Sequence, residues 1–304
     1  MIKFSGIGVS LGSIEEDNTL LEKKFGWEQG KISLKTGINK RFISTESETT
    51  EVLGSNAIKK LKKKISLDEV DCIISTTNTQ TNTFPALAYH ILSEENLGSN
   101  VQCFGLNVGC TGFVDALTIA YSGISSNLYK KVLIVTSDTY SKFILEDDQS
   151  IRPLFSDGAT ATLVEYDEDG YKMVDQISIS VPNTLHHLCM KKNKDFKDYI
   201  QMNGPNILTF AVGSVLPSLK KIIDPGVKYT LYPHQAGKLV LDTFEKKLTN
   251  NVLIKNNYSN FGNLVSGSIP NLLLSSTKDL DLGNNIILSG FGVGLAHTAM
   301  VLMK

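Results

Sequence analysis

Short apolar runs alternate with longer amphipathic stretches through the first half of the chain. The apolar runs predict buried strands at residues 3–10, 70–75, 101–108, 131–137 and 159–165. The amphipathic stretches repeat apolar residues at the spacing of a helix face and predict helices at residues 50–64, 84–97 and 111–125. Strands that alternate with helices in this way are typical of α/β units around a largely parallel sheet.

The second half repeats this alternation. Its pattern predicts strands at 173–181, 229–232, 285–289 and 295–303, and helices at 205–223, 237–248 and 265–276. The halves meet near the polar turn at residues 165–172. No sequence repeat aligns between them, yet their similar content indicates duplication of one α/β unit, with domains at residues 1–166 and 167–304.

Composition and charge narrow the class of protein. Of the 304 residues, 41% are hydrophobic and 20% are charged, so the chain can bury a sizeable core. A formal net charge of −1 offers no field for nucleic acid or an anionic membrane, and no apolar run approaches the ~20 residues of a spanning helix. The first residues lack the features of a secretory signal, and the four cysteines form no CxxC pair. We therefore expect a reduced, soluble, cytoplasmic protein.

Arginine is rare in this sequence. Of the 30 basic residues, Arg41 and Arg152 are arginines and the rest are lysines. A lysine cannot replace the planar guanidinium group of arginine, which presents several hydrogen-bond donors in a fixed geometry. We therefore expect at least one of the two arginines in a buried or functional ion-pair network.

Cys110 is the first candidate for chemistry. It lies between a predicted strand and a predicted helix and is flanked by Gly109 and Gly112. Unpaired backbone N–H groups and the helix dipole at such a position should stabilise a thiolate and lower the pKa of the thiol from its usual ~8.5. The alternative is a buried cysteine that acts as a small hydrophobe, which is how we interpret Cys72 and Cys103 inside apolar strands.

His234 and Asn263 are the second and third candidates. His234 follows a short strand and a proline, and strand ends are where α/β folds present catalytic groups, although a single histidine is more often structural. Asn263 follows Gly262 near a predicted helix start, where an asparagine is by default an N-cap.

Three further patterns are weaker candidates for functional sites. The glycines of 290–294 lack the GxGxxG spacing and downstream acid of a dinucleotide loop, so part of an oxyanion hole is the better interpretation. His186 and His187 lack spaced cysteine or acidic partners, so no metal site is predicted there. The lysine-rich run at 59–64 is most simply the solvated face of a helix.

The chain resembles the β-ketoacyl–acyl-carrier-protein synthase III family of the thiolase superfamily over nearly its whole length. Seven motifs in register carry the resemblance: TGINKR (36–41), NTFP (82–85), GCTGF (109–113), LFSDGATA (154–161), PHQAG (233–237), NFGN (260–263) and GFGVG (290–294). The resemblance implies two stacked βαβαβαββ halves in an αβαβα five-layered sandwich, active as a homodimer, with the nucleophilic cysteine in the first half and the histidine and asparagine in the second.

The resemblance also implies roles for particular residues. Cys110 corresponds to the acyl-accepting nucleophile, and His234 and Asn263 correspond to the pair that faces the thioester carbonyl of the second substrate. The backbone N–H groups of Cys110 and Val293 would hold the tetrahedral oxyanion. Phe84 corresponds to the residue that reaches the acyl pocket of the partner subunit. An amide at Asn263 can stabilise an enolate but cannot act as a general base, which favours carbon–carbon bond formation.

Several positions depart from the family pattern at the end that binds the acyl donor. Lys31 stands where a tryptophan is usual, and Lys35 is the following basic position. Gly237 and Leu239 replace an asparagine and an arginine, and Thr209 falls where a lysine is usual. Several groups that grip coenzyme A are therefore missing, which favours a carrier-bound donor.

Lys246 and Lys247 match the family's basic pair near the tunnel mouth, where they would suit an acidic acyl carrier protein; the alternative is an ordinary solvated helix edge. We predict a condensing enzyme that joins an acyl group to a malonyl unit in fatty-acid or specialised acyl-chain biosynthesis. Its substrates would be thioesters of acyl carrier protein or coenzyme A, without a cofactor. The alternatives are an acyltransferase that acts on an amine or alcohol, or a non-catalytic subunit of a heterodimer.

Overall fold

Two five-stranded sheets organise the computed structural model of the protein, which describes residues 1–192 and 197–304. The first half contains, in chain order, β1 (Ile2–Leu11), β2 (Ile14–Asp17), α1 (Asn18–Lys24), α2 (Lys31–Thr36), β3 (Lys40–Ile43), α3 (Thr50–Lys62), β4 (Cys72–Thr76), α4 (Leu87–Glu94), β5 (Gln102–Leu106), α5 (Gly112–Ser125), β6 (Lys131–Asp138) and β7 (Gly158–Tyr166). Its sheet has the order β5-β4-β6-β7-β1, and β2 pairs with β3 in a separate two-stranded antiparallel sheet.

The second half contains β8 (Lys172–Ser180), β9 (Leu188–Lys192), β10 (Asp198–Met202), α6 (Gly204–Phe210), α7 (Leu216–Ile222), β11 (Tyr229–Pro233), α8 (Lys238–Lys247), β12 (Val252–Ile254), α9 (Tyr258–Phe261), α10 (Ser268–Ser276), β13 (Asn285–Gly292) and β14 (Ala296–Met303). Its sheet has the order β12-β11-β13-β14-β8, which is the order of the first sheet when strands are matched by position in the unit. The duplication predicted from the pattern is confirmed at this level, and the boundary at 166/167 stays a prediction.

The directions of the strands correct one expectation. In each sheet the second strand from one edge pairs parallel on both sides, β4 with β5 and β6, and β11 with β12 and β13. The other pairings are antiparallel: β7 with β6 and β1, and β14 with β13 and β8. The sheets are thus mixed rather than largely parallel, because β6–β7 and β13–β14 return without a crossover helix.

Helices fill three layers around the two sheets. One apolar cluster joins α5 and α10 to both sheets, which places these two helices between them. The outer face of the first sheet is covered by α3 and α4, and that of the second by α6, α7 and α8. The central layer explains the unusually apolar sequence of α5, which is covered on both sides. The result is the predicted αβαβα sandwich.

Most predicted elements form close to their expected bounds, with two differences. The helix expected at 84–97 begins at Leu87, after Pro85, and the helix expected at 205–223 contains a π-helical turn at Ala211–Val215 between α6 and α7. Within the described residues, every helix is too short or too polar to cross a bilayer.

Candidate active site

Cys110 lies in a 3₁₀ turn (Gly109–Thr111) directly before α5, where the two halves meet. Both flanking glycines are required there by close packing. A Cβ on Gly109 would lie 2.6 Å from Val293 Cγ2, and one on Gly112 would lie 2.1 Å from Thr76 Oγ1. The side chain of Cys110 is buried, with 4% of its surface exposed.

His234 and Asn263 come together although 29 positions separate them. His234 is the residue directly after β11, and its backbone N–H donates to the carbonyl of Ser289 at 2.7 Å. Asn263 Nδ2 lies 3.3 Å from His234 Nε2, and Asn263 Oδ1 accepts a hydrogen bond from the N–H of Val265 at 2.9 Å. Asn263 is therefore not the expected N-cap, because the residue before α10 is Gly267 and no side chain caps that helix. Its amide oxygen closes a local turn onto Val265, and its amide nitrogen faces His234.

A single cavity of about 570 Å³ is lined by Cys110, His234 and Asn263. The glycine loop at 290–294 forms part of its wall, as expected. A Cβ on Gly292 would lie 2.9 Å from Cys110 Sγ, so a side chain at this position would occupy the space in front of the thiol. The structure thus brings the three candidates from both halves to one accessible point.

Burial dominates the electrostatics of the thiol. Burial, with a smaller contribution from the nearby charge of Asp138, raises the pKa of Cys110 to about 12, while the backbone N–H groups of Val293 and Cys110 act in the opposite direction. The lowered pKa expected from the helix terminus alone is therefore wrong. Burial also lowers the pKa of His234 to about 3, so its imidazole is neutral at pH 7.

The N–H groups of Cys110 and Val293 are the two that the sequence assigned to an oxyanion hole. Their proximity to Sγ places both donors beside the atom that would carry an acyl group. Their role in catalysis stays a prediction.

Asp138 is a neighbour of the thiol that sequence reasoning missed. It is buried at the end of β6 and accepts hydrogen bonds from Ser266 Oγ at 2.7 Å and from the N–H of Asn78 at 2.8 Å. Burial raises its pKa to about 6. A polar residue at the carboxyl end of a predicted parallel strand was the signal that could have identified it.

The segment LFSDG holds Asn263 from the other half. The N–H of Asn263 donates to Leu154 O and the N–H of Ser156 donates to Asn263 O, both at 2.9 Å. Asp157 fixes this segment by accepting hydrogen bonds from Ser44 and Ser141.

Both arginines join one network beneath this segment. Arg41 is fully buried and donates to Glu16, Asn18 and the carbonyls of Asp17 and Pro153. Arg152 binds the two oxygens of Glu16 at 2.7 and 3.0 Å. The expectation of a buried ion-pair network is confirmed. The hydrogen bond from Arg41 to the carbonyl of Pro153 also supports the loop that holds Asn263.

The residues assigned to carrier docking and to the acyl pocket of the partner subunit lie outside this cavity. Lys246 and Lys247 are exposed in the last turn of α8, whose first turn contributes Lys238 and Leu239 to the cavity wall. Phe84 is 83% exposed and lines a separate hollow, so within one chain it does not join the site of Cys110.

Trp27 is a further residue that the motif comparison missed. The ammonium groups of Lys31 and Lys35 lie 4.7 and 4.8 Å from the centre of its ring, and Trp27 and Lys35 line a hollow beside the main cavity. As the sole tryptophan of the sequence it could have been noticed. An aromatic ring is therefore present beside the main cavity. It lies four residues before Lys31, the position where the family's tryptophan is missing.

Comparison with known proteins identifies the family. Its two models, described as 3-oxoacyl-[acyl-carrier-protein] synthase III and its C-terminal part, match residues 104–180 and 228–304. The chain is 30% identical to β-ketoacyl-[acyl-carrier-protein] synthase III of Streptococcus pneumoniae over 292 residues, covering 89% of each.

Solved structures of this family have the same fold. The 3-oxoacyl-[acyl-carrier-protein] synthase III of Aquifex aeolicus superposes with a TM-score of 0.90 at 28% identity over 100% of both chains. The synthase III of Thermus thermophilus superposes with a TM-score of 0.87 at 26% identity, covering 99% of this chain and 98% of the other. The chain belongs to the 3-oxoacyl-[acyl-carrier-protein] synthase III family of thiolase-fold condensing enzymes.

Proposed function

We propose that Cys110 accepts an acyl group from a thioester and that His234 and Asn263 then support decarboxylative condensation of this group with a malonyl thioester. The observation that carries the proposal is the single cavity shared by the three side chains, with the Asn263 amide 3.3 Å from a neutral imidazole.

The first half-reaction is a thioester exchange. The sulfur of Cys110 bonds to the acyl carbon, the carbon–sulfur bond to the carrier breaks, and the thiol proton ends on the departing carrier thiol. The N–H groups of Cys110 and Val293 are proposed to bind the carbonyl oxygen as it becomes an oxyanion.

The second half-reaction forms the carbon–carbon bond. A malonyl thioester loses carbon dioxide, and the electron pair of the broken bond passes into an enolate. Its oxygen would take the place of the contact between Asn263 Nδ2 and His234 Nε2. The Asn263 amide can donate to it, and so can the neutral imidazole in the tautomer that carries its proton on Nε2. The enolate carbon then attacks the acyl carbon, and Cys110 leaves as a thiolate that regains a proton. Substrate groups and these side chains account for both steps without a cofactor.

The histidine argues against the acyltransferase alternative. Transfer to an amine or alcohol needs a base that removes the proton of the acceptor, and an imidazole whose pKa is held near 3 is a weak base at pH 7. Transfer to a heteroatom releases no carbon dioxide, so malonyl-dependent release distinguishes the two reactions.

Asn263 provides the test of the proposal. We expect Asn263→Ala to retain acyl loading of Cys110 by intact-mass spectrometry but to lose malonyl-dependent carbon dioxide release by about 10²–10³-fold, the usual cost of one such donor. Asn263→Asp should condense no better, because a carboxylate repels a developing oxyanion. Near-normal condensation by Asn263→Asp would show that the residue serves only through its local hydrogen bond from the N–H of Val265, which an aspartate can also accept. Mapping of the acyl group to Cys72, Cys103 or Cys189 would contradict the assignment of the nucleophile.

We further propose that acyl carrier protein delivers the substrates and that the enzyme works as a cytoplasmic homodimer. Exposed Lys246 and Lys247, on the helix whose first turn enters the cavity, support the carrier. Support for a dimer comes from β5, which among the residues that the structure describes pairs with β4 alone and leaves its other edge open near exposed Phe84. A reducing compartment would keep the thiol of Cys110 free for acylation.

A further inference from the structure

A second cavity, of about 370 Å³, borders the segment that carries the thiol through Asn107. Leu188 lines both cavities. Val293, whose N–H faces Cys110 Sγ, contributes to the wall of the second cavity. Tyr140, on the same wall, packs in the apolar cluster that contains Cys110 and Leu188. The second cavity is therefore adjacent to the thiol.

The positions of the two cavities assign them to different parts of the substrates. His234 and Asn263 line the first cavity, so the malonyl unit has to reach the acyl carbon from that side. With the carbonyl oxygen on the N–H groups of Cys110 and Val293, the remaining substituent of the acyl carbon points away from the incoming unit. The second cavity is the space available to it.

One wall of the second cavity is polar. The hydroxyl of Tyr140 donates to Asn78 Oδ1 at 2.9 Å, and Asn78 Nδ2 donates to Asn107 Oδ1. The backbone of Asn78 is fixed in turn by its hydrogen bond to Asp138. The three side chains form a line of hydrogen bonds beside the apolar side chains of Leu185, Leu188 and Ile200.

The direction of these hydrogen bonds sets what the wall can bind. Tyr140 is 3% exposed and its proton is committed to Asn78, so its oxygen can only accept from a ligand. Burial raises the pKa of Tyr140 well above its usual value, which keeps the phenol protonated. A methyl group against this oxygen would leave a desolvated acceptor unpaired, whereas a hydroxyl group would satisfy it.

We propose that the acyl group received by Cys110 is a short hydroxyacyl chain whose hydroxyl donates to the oxygen of Tyr140. The proposal rests on the proposed function, since it names the substrate class of that reaction. A site built to pair a substrate hydroxyl discriminates against the analogue that lacks it more strongly than an apolar pocket discriminates by size.

Isosteric thioesters test this selectivity. The rate of Cys110 acylation is measured by intact mass with N-acetylcysteamine thioesters of 3-hydroxybutyrate, both enantiomers, and of 3-methylbutyrate, which replaces the hydroxyl by methyl. We expect one hydroxyacyl enantiomer to load about tenfold faster than the methyl analogue, and Tyr140→Phe to bring the two rates close together. Tyr166→Phe, at an exposed tyrosine on β7, is the matched control and should keep the native ratio.

A second variant tests the direction of the hydrogen bonds. Asn78→Ala releases the phenolic proton, so Tyr140 becomes a donor, and loading of the 3-oxobutyryl thioester should rise relative to 3-hydroxybutyryl. This shift of preference would not follow from a purely structural role, and thermal melting verifies that each variant is folded.

The outcomes separate this inference from the function on which it rests. Equal or faster loading of the methyl analogue by the native protein, or an unchanged ratio in folded Tyr140→Phe, would overturn the hydroxyacyl assignment and leave the condensing function standing. If neither class of thioester acylates Cys110, the proposed function and this inference fail together.

Discussion

At the scale of single residues, the surroundings of Cys110 keep the nucleophile protonated. Burial and the charge of Asp138 both raise the pKa of the thiol, to about 12, and the neutral His234 offers no compensating positive charge. Since only the thiolate reacts, alkylation of Cys110 by iodoacetamide should accelerate about tenfold per pH unit from pH 6 to 9 without reaching a plateau. A plateau below pH 8 would show that a thiolate is already formed at neutral pH.

Asp138 gives this prediction a local test. Removal of its negative charge lowers the pKa of the neighbouring thiol, so Asp138→Asn should alkylate faster at fixed pH by a factor of about 3 to 10. Asp147→Asn, at an exposed position, controls for loss of one charge and should alkylate at the native rate. An unchanged rate in folded Asp138→Asn would mean that the carboxyl acts only as a hydrogen-bond acceptor for Ser266 and Asn78.

At the scale of elements, β5 has an unprotected edge. An open strand edge presents unpaired N–H and C=O groups, which proteins ordinarily cover or pair with another chain. Phe104 and Leu106 on this strand are only partly buried, and Phe84 is exposed beside it. We expect light scattering to give twice the mass of one chain, and Phe84→Asp to shift the protein towards the monomer.

The equivalent edge of the second sheet supplies the control for this variant. Leu253 is 58% exposed on β12, which occupies the position of β5 in the duplicated unit. Leu253→Asp should remain dimeric. A native protein of single-chain mass, or dimers that persist in Phe84→Asp, would contradict a dimer that uses this edge.

At the scale of the whole molecule, the distribution of lysines matters more than the net charge of −1. Carrier proteins present acidic surfaces, and we expect kcat/KM to be higher for an acyl group on acyl carrier protein than for the same group on coenzyme A. The double variant Lys246→Glu with Lys247→Glu should lower kcat/KM for the carrier by roughly tenfold, with the loss shrinking at high salt, and should leave the coenzyme A value nearly unchanged.

Another pair of lysines separates local docking from general charge. Lys60 and Lys63 are exposed on or next to α3, and replacing both with Glu changes the net charge equally. This control should retain the native kcat/KM with the carrier. A clear preference of the native protein for the coenzyme A ester would contradict carrier delivery. It would indicate that Trp27, Lys31 and Lys35 bind coenzyme A in place of the family residues that are missing.

Local sequence patterns identify the elements that are buried on both faces. Inner strands such as β6 and β13, and the central helix α5, have long apolar runs because their residues meet protein on either side. The motif around Cys110 was also recognisable from the local sequence. Gly109 and Gly112 mark positions where neighbouring segments lie too close for a side chain. The two-stranded sheet of β2 and β3 has no such signature, because the buried Arg41 and its polar partners stabilise it rather than an apolar face.

The electrostatics of the site and the shape of the second cavity arise from tertiary packing and have no local sequence signature. The helix terminus next to Cys110 predicted a lowered pKa, but burial by residues of both halves reversed the direction. Asn78, Asn107 and Tyr140 belong to three separate segments, and Leu188 and Val293 to two more, so no local pattern relates them. Charge effects and cavities depend on distances through space, which the chain acquires only when segments remote in sequence pack together.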